Sequence, residues 1–587
     1  MNSTSHFETV SASGCRLFAI AALLAVTWMS VPVEAASAAD SQRPNLILFL
    51  IDDQDYESIA AYGGKTWTPN LDRMAAEGMR FTQAYVSSTV CTPSRYTWLT
   101  GRYAGVSTSK VYQDACGGPD RQGFPSFNVA LERDRMNVGT LLREAGYVTG
   151  FVGKFHVGSQ LDFPEFYGED GLKPVAKTAE PGPEATALFT HNERVMRRYI
   201  ESLGFSWAKH IYPENMNPPY AHHNPEWTTA AALEFIEANR DRPFYLHCCS
   251  TLLHGPDASW RRSMDYPIVS GEGELKTPAL GMTPRGELLK AIAKQGFDPD
   301  QGGVAGEAWI DDALGAVLNN LRQLGIARNT LVVFAPDHGS NSKASLFSQD
   351  GTRIPMIAWW PGRIPGGLVC NELVQNIDWV PTAFDLAGVT PPPGCRVDGR
   401  SLAPLFATGA ANGWRDYLYF EIGYARAVTT KDWEYIAVRY PEEVIAAIQR
   451  ATPDRLPRLM AYIGRMGIGT RGAERPGFWD ADQLYNLQTD PDEQANLASD
   501  PRYADQMQRL RELLTTSLRS VGRPFGEFLP GGDAAPPGQV DAQIAPVKRL
   551  DVQGKRVLVP QGESPGNPVP SPTDSKKELR KKRKAAR

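Results

Sequence analysis

Residues 45–51 read NLILFLI, and six of the seven are strictly apolar. A run without polar alternation cannot face water on one side. It suits a strand buried on both faces, as in a parallel sheet between two helix layers. The pattern recurs. YVTGFVGK (147–154), PFYLHCCSTLLH (243–254), NTLVVFAPDHG (329–339) and IPMIAWWPG (354–362) read as further strands. Helical patterns lie between them. TPNLDRMAAEG (68–78) has Thr68 as cap, Pro69 in the first turn and Gly78 as stop. Others run over 138–145, PEWTTAAALEFIEANR (225–240) and GEAWIDDALGAVLNNLRQLG (306–325). Helices alternating with buried strands predict an α/β fold, with a large, mostly parallel sheet flanked by helices.

The chain has 587 residues, too many for one ordinary core, so a large domain plus a smaller one is expected. After about residue 405 the pattern changes. YLYFEIGYARAVTTKDWEYIAVRYP (417–441) alternates and predicts an antiparallel sheet. We therefore expect a main domain over 43–405 and a smaller one over 406–525. Residues 526–587 are rich in Pro and Gly and end in SKKELRKKRKAAR, which reads as a disordered basic tail.

At the N-terminus, LFAIAALLAVTWM (17–29) follows Arg16 and precedes the small residues of VEAASAAD (33–40). This reads as a signal peptide over 1–38 and predicts a secreted or periplasmic protein. The run is short for a membrane span of about 20 residues, and no later segment reads as one. A net charge of −5 predicts no general affinity for nucleic acid. Six cysteines follow the leader, too sparse for a disulfide-built fold. Cys370 and Cys395 are a candidate pair, while Cys248 and Cys249 sit in an apolar run and read as core.

The polar residues collect in one kind of place. Asp52–Asp53, Lys154 with His156, His254, and Asp337–His338 each follow the carboxyl end of a predicted strand. In an open α/β sheet that edge is where ligands bind. Acidic residues there offer hard oxygen ligands suited to calcium or magnesium.

One further segment, VSSTVCTPSRYTWLTGR (86–102), carries Cys91 in a C-x-P-x-R pattern ahead of TGR. It resembles the signature of the type I sulfatases of the alkaline phosphatase superfamily. The likeness continues in chain order through NLILFLIDDQ, YGGKTWTPNLDRMAAEGMRFTQAY, GKFHVG, PDHG, DGTRIPMIAWWPG, IDWVPTAFDLAGV, DGRSLAPLF and DADQLYNLQTDPDEQANLA.

The resemblance implies an alkaline-phosphatase-like sandwich with a smaller C-terminal antiparallel sheet. It implies a secreted enzyme that cleaves sulfate esters, with a sulfated carbohydrate as the favoured substrate. Cys91 would be oxidised to formylglycine by a separate maturation enzyme. The hydrated aldehyde would supply one hydroxyl to attack sulfur and a second to expel sulfate. One calcium ion would be held by Asp52, Asp53, Asp337 and the modified Cys91. His338 would join them as a weaker ligand or hydrogen-bond the nucleophile: many relatives carry asparagine here while others read DHG as this chain does, and imidazole is a poor calcium ligand. Lys154 and Lys343 would hold sulfate oxygens, and Arg95 would orient the nucleophile. His156 would take a proton as sulfate leaves, and His254 would protonate the leaving group. Lys343 follows His338 by only five residues, a shorter loop than expected. Insert-like stretches at 160–220 and 257–306, with His191, His210, His222, His223, Trp207 and Trp260, would rim the site. The other classes are a phosphatase or phosphonate monoester hydrolase of the same superfamily, and a non-catalytic sulfated-glycan-binding protein.

Overall fold

The computed structural model describes residues 43–176, 178–254, 258–440, 475, 477, 478 and 480–531, together with the strands Lys548–Leu550 and Arg556–Leu558. The signal-peptide expectation lies outside these residues, as does most of the tail. Within the tail those two strands pair antiparallel.

The main sheet has eight strands: β1 (Asn45–Ile51), β2 (Met79–Phe81), β3 (Val148–Lys154), β4 (Trp207–Tyr212), β5 (Phe244–Cys249), β6 (Thr330–Pro336), β7 (Met356–Trp359) and β8 (Leu368–Cys370). Their spatial order is β8-β2-β7-β6-β1-β5-β3-β4. The five strands from β6 to β4 run parallel, and β7 is antiparallel to both β6 and β2.

The apolar run of β1 divides between two cores. Leu46, Leu48 and Leu50 point into one, and Ile47, Phe49 and Ile51 into the other. Each such side chain contributes about 1.5–3 kcal/mol on burial, so β1 can occupy only the middle of the sheet. The first core takes in helices α2 (Cys91–Thr100), α3 (Val138–Glu144), α4 (Pro183–Ser202) and α7 (Trp379–Ala387). The second takes in α1 (Pro69–Glu77), α5 (Pro225–Asn239) and α6 (Val304–Gln323).

Three details differ from expectation. The stretch 160–220, expected as an insert, contributes α4 and the edge strand β4. Thr68 flanks α1, but its hydroxyl accepts the Ala60 N–H at 3.3 Å rather than capping the helix. The cap comes from α6. Asp311 accepts Leu71 N at 2.7 Å, and Asn70 N and Nδ2 at 3.1 and 2.8 Å. Finally, Cys370 and Cys395 do not pair. All six described cysteines are free thiols. Cys370 lies on β8 near Glu372 and Lys431, whereas Cys395 sits near Arg102 and Asp134.

A second sheet, β9 (Leu418–Ile422), β10 (Ala425–Thr429), β11 (Trp433–Val438) and β12 (Asp482–Asn486), is antiparallel throughout. Tyr419, Val428, Tyr435 and Leu484 pack under Leu510, Leu514 and Leu518 of helix α8 (Ala504–Val521). Phe420, Ala427, Ile436 and Tyr485 face the other way and join the core of α2. Because Asp311 satisfies the first turn of α1, Asp311→Ala should lower stability by about 1–3 kcal/mol, read as a shift in the urea unfolding midpoint. An unchanged midpoint would remove Asp311 as the cap.

Candidate active site

The site forms where β1, β3, β5 and β6 end side by side. β1 passes directly into Asp52 and Asp53. The Asp53 backbone turns left-handed, with φ 58°, a conformation that Asp tolerates better than most residues. Its N–H donates to Asp337 Oδ1 at 3.2 Å, tying the ends of β1 and β6 together. β3 carries a bulge at Val152 and Gly153. Gly153 has φ 88°, and a Cβ there would lie 1.7 Å from the Cys249 carbonyl oxygen, so only glycine fits. The bulge delivers Lys154 into the protein, where its ammonium donates to Asp52 Oδ2.

Helix α2 brings Cys91. The helix begins at Cys91, and all ten of its residues are buried. Thr97 and Thr100 satisfy their hydroxyls within the helix, on Pro93 O at 3.0 Å and Tyr96 O at 2.8 Å. Gly101 ends it at φ 67°, and a Cβ there would meet Val380 at 2.9 Å. The thiol thus sits at the positive end of the helix dipole. Cys91 Sγ lies 3.4 Å from Asp52 Oδ1, 3.3 Å from His338 Nε2 and 3.7 Å from Lys343 Nζ.

One turn along, Arg95 Nε donates to Asp337 Oδ2 at 2.9 Å and Nη1 to the Lys154 carbonyl at 3.2 Å. Its Nη2 is 3.8 Å from Asp52 Oδ1. Lys343 Nζ reaches both Asp53 oxygens, at 2.8 and 3.0 Å, so the short loop does bring it in. His338 Nδ1 is 2.8 Å from the Gly339 carbonyl and 3.3 Å from Asp53 Oδ1.

Burial alone would raise the Asp52 carboxyl. Lys154 and Arg95 overcome it and hold Asp52 well below the carboxylate range. Burial and the Asp52 charge push Asp337 up to about 7. Burial opposes a charged imidazole at His338, yet Asp337 and Cys91 raise it to about 9. Burial and Asp52 push the Cys91 thiol up, and Lys154, Lys343 and His338 together bring it down to about 6.

The two remaining histidines sit at the periphery. His254 Nε2 is 4.0 Å from Asp53 Oδ2. Its carbonyl lies 3.2 Å from His223 Nε2 and accepts Trp260 Nε1 at 3.2 Å, while His223 Nδ1 is 2.9 Å from Thr251 Oγ1. His156 is lowered to about 3 by burial and by Lys154 and Arg95, and is therefore neutral. Its buried Nδ1 has no hydrogen-bond partner among the described residues.

The expected rim divides. His223 and Trp260 brace His254, whereas His210 stacks on Trp227 and His191 bonds Gly171 O. Sequence reasoning passed over Phe127, whose ring lies 5.9 Å from His156 and is 52% exposed. It also passed over Asp55, although a third acid, one residue removed from the Asp52–Asp53 pair, was a visible signal.

Asp52, Cys91, Asp337 and His338 are all buried and present ligand atoms within 4.8 Å of one another. Removing the cation that separates the carboxylates should be costly. Arg95→Leu is expected to lose about 3–5 kcal/mol of stability, the penalty of an uncompensated buried charge, measured by chemical unfolding. A loss below about 1 kcal/mol would show that Arg95 does not neutralise Asp52 and Asp337.

Comparison with known proteins agrees with this geometry. The sulfatase family model matches residues 44–389. The N-acetylgalactosamine-6-sulfatase of Canis lupus familiaris is 30% identical over 426 residues, covering 67% of this chain and 71% of the relative. Arylsulfatase A of Bos taurus is 28% identical over 435 residues, 68% of this chain and 74% of its own. Among solved structures, a sulfatase from Pseudoalteromonas sp. superposes with a TM-score of 0.51 at 22% identity, covering 85% of this chain and 94% of that one. A protein solved with its substrate D-glucosamine-2-N,6-O-disulfate gives 0.52 at 19%, covering 82% and 98%. At these identities the structures speak for the fold alone, which is the alkaline-phosphatase-like α/β fold. The match over 44–389 includes the strand ends, the C-x-P-x-R helix and the loops that carry the basic residues, and the chain belongs to the sulfatase family of sulfuric ester hydrolases.

Proposed function

We propose that this enzyme hydrolyses sulfate esters of a carbohydrate, with Cys91 converted to formylglycine and a calcium ion in the acidic site. The observation that carries the reading is the placement of Cys91: first residue of a buried helix, in C-x-P-x-R, against Asp52, His338 and Lys343. The donor set fits calcium. Asp52, Asp53 and Asp337 are hard carboxylates that converge at buried strand ends, and they with Cys91 would hold the ion. His338 completes the cluster and also lies within reach of the nucleophile as a hydrogen-bond partner. When bound, calcium would offset the charge of the sulfate ester. The formylglycine side chain would supply a hydrated carbonyl as nucleophile, where a plain hydroxyl would be left as a stable sulfate ester.

The chain's own residues account for the rest. Lys154 and Lys343 bind and orient sulfate oxygens from two sides. Arg95 fixes Asp52 and Asp337 and so orients the nucleophile. His254, part-exposed beside Asp53, donates a proton to the departing oxygen. His156, neutral and with Nδ1 unpartnered among the described residues, accepts a proton as sulfate leaves. The relatives named N-acetylgalactosamine-6-sulfatase and the fold neighbour bound to a disulfated glucosamine support a sulfated carbohydrate as substrate. The apolar run at 17–29 supports export to the periplasm or beyond, and no helix among the described residues is long and apolar enough to cross a membrane. We assign residues 43–405 to the catalytic domain and 406–525 to the smaller one, with a maturation enzyme as the partner that modifies Cys91.

Mass spectrometry of the Cys91 peptide from active protein should show a loss of about 18 Da relative to the thiol form. Cys91→Ala should fold and retain less than about 1% of turnover on nitrophenyl sulfate. An unmodified thiol in fully active enzyme would overturn the mechanism.

The two histidines should separate by leaving group. His254→Ala should lose about 10²-fold more activity on a sulfated sugar than on nitrophenyl sulfate, since nitrophenolate leaves without a proton. His156→Ala should lose comparably on both, and with nitrophenyl sulfate should release a burst of one nitrophenol per site before stalling. The reverse pattern would exchange the two roles.

A further inference from the structure

The loop from His338 to Lys343 starts beside Cys91 and returns to it within five residues, so it must turn back sharply. We propose that Asp55 is the positioning residue that sets this turn, acting on Lys343 through the backbone of Ser340 and Asn341. Asp55 Oδ1 accepts the Ser340 N–H at 2.6 Å and the Asn341 N–H at 3.0 Å. A carboxylate bridging two successive N–H groups turns the chain sharply and gives charge-assisted bonds.

The tie is the outermost of three that use backbone N–H groups between the segments that follow β1 and β6. Asp53 N donates to Asp337 Oδ1 at 3.2 Å, and Gln54 N to the His338 carbonyl at 3.1 Å. Asp55 closes the series. Beyond Lys343, Ala344 adopts φ 61° and its N–H bonds the Thr89 carbonyl at 3.0 Å, two residues before Cys91. Lys343 is therefore clamped between the metal-binding turn and the nucleophile's helix. Its Nζ lands on Asp53 and 3.7 Å from Cys91 Sγ. The inference rests on the sulfate-holding role given to Lys343 above. The two loop bonds of Asp55 end on backbone N–H groups, not on Cys91 or the Lys343 ammonium.

The test is a double-mutant cycle with a structural readout. Asp55→Ala should lower kcat/KM on nitrophenyl sulfate by about 10- to 100-fold, and Asp55→Asn, which keeps an acceptor oxygen, should retain at least a third of the activity. In a Lys343→Ala background, Asp55→Ala should cost less than about twofold more. Amide hydrogen exchange at Ser340 and Asn341 should speed up at least 10-fold in Asp55→Ala and little in Asp55→Asn. Multiplied losses in the double mutant, or unchanged exchange, would overturn the positioning role even in an active sulfatase. A fully active Lys343→Ala would instead sink the sulfate-holding assignment, and with it any loss routed from Asp55 through Lys343. Should Asp55→Ala fail to fold, exchange and activity in Asp55→Asn against Asp55→Ser decide. Equal activity and equal exchange in those two variants would defeat the proposal.

Discussion

The guanidinium of Arg95 lies 2.9 Å from Asp337 Oδ2 and 3.8 Å from Asp52 Oδ1, with side-chain exposure at or below 1% for all three. β1 and β6 are neighbours in the sheet, so their carboxylates emerge next to each other without choice. Two buried like charges at that spacing cost several kcal/mol unless a cation answers them. Arg95 answers both from one side, and Lys154, delivered by the β3 bulge, answers Asp52 from another. The position of α2 follows from this balance. Its first turn must lie against the strand ends for Arg95 to reach, and that same constraint sets Cys91 against Asp52.

The helix is held in that register by polar contacts as well as packing. Ser94 Oγ donates to the Asp337 carbonyl, and Asn376 Nδ2 donates to Ser94 Oγ at 3.2 Å. Asn376 Oδ1 also accepts Ser87 N at 3.0 Å. The smaller sheet adds to the hold. The Glu421 N–H of β9 bonds the Ser87 carbonyl at 2.9 Å, and its Oε1 accepts Gly105 N at 2.6 Å. The segments just before and just after α2 are thereby both pinned by Glu421, more than three hundred positions away. A side chain on a buried, immobilised helix, as Cys91 is, cannot drift from the groups that face it, and preorganisation of this kind supplies much of an enzyme's rate.

How much of this could be read from the chain varies with the physics. The central strands were legible because burial on both faces leaves an uninterrupted apolar run, and their ends were legible because polar residues stop such a run. The antiparallel sense of β7 was not, since IPMIAWWPG carries the same apolar signature in either direction. Strand β4 hid inside an apparent insert. As an edge strand it mixes buried and partly exposed residues without a clean period, and the successive part-exposed Lys209 and His210 mask the pattern. Thr68 gave a correct helix start for the wrong reason, because a tertiary partner, Asp311, outcompeted the local cap. The pairing of Cys370 with Cys395 could not be judged from spacing, which says nothing about which neighbours each thiol meets. The candidate residues could be picked out by type and chain order, and the structure brings Asp52, Asp53, Cys91, Arg95, Lys154, Asp337, His338 and Lys343 together. The clamp on Lys343 was not legible, because it depends on backbone N–H groups that carry no side-chain signature.

The segment that follows the short loop leans on the second sheet, which is remote in sequence. Having passed Lys343, the chain must reach β7 by residue 356, and it does so across the inner face of the second sheet. Ser348 N bonds Glu493 Oε1 at 3.0 Å and its hydroxyl bonds Glu434 Oε2 at 2.9 Å, with Arg475 on the far oxygen of Glu493 at 2.9 Å. Burial and the nearby Glu493 raise Glu434 well above the carboxylate range. Phe347 packs against Phe478 and Tyr485 beside it. A longer loop could brace itself on its own residues. This one has too few, and so it borrows acceptors from the second sheet at one end and from the β1 turn at the other. The segment that carries a lysine ammonium beside Cys91 is in that sense held from both sheets.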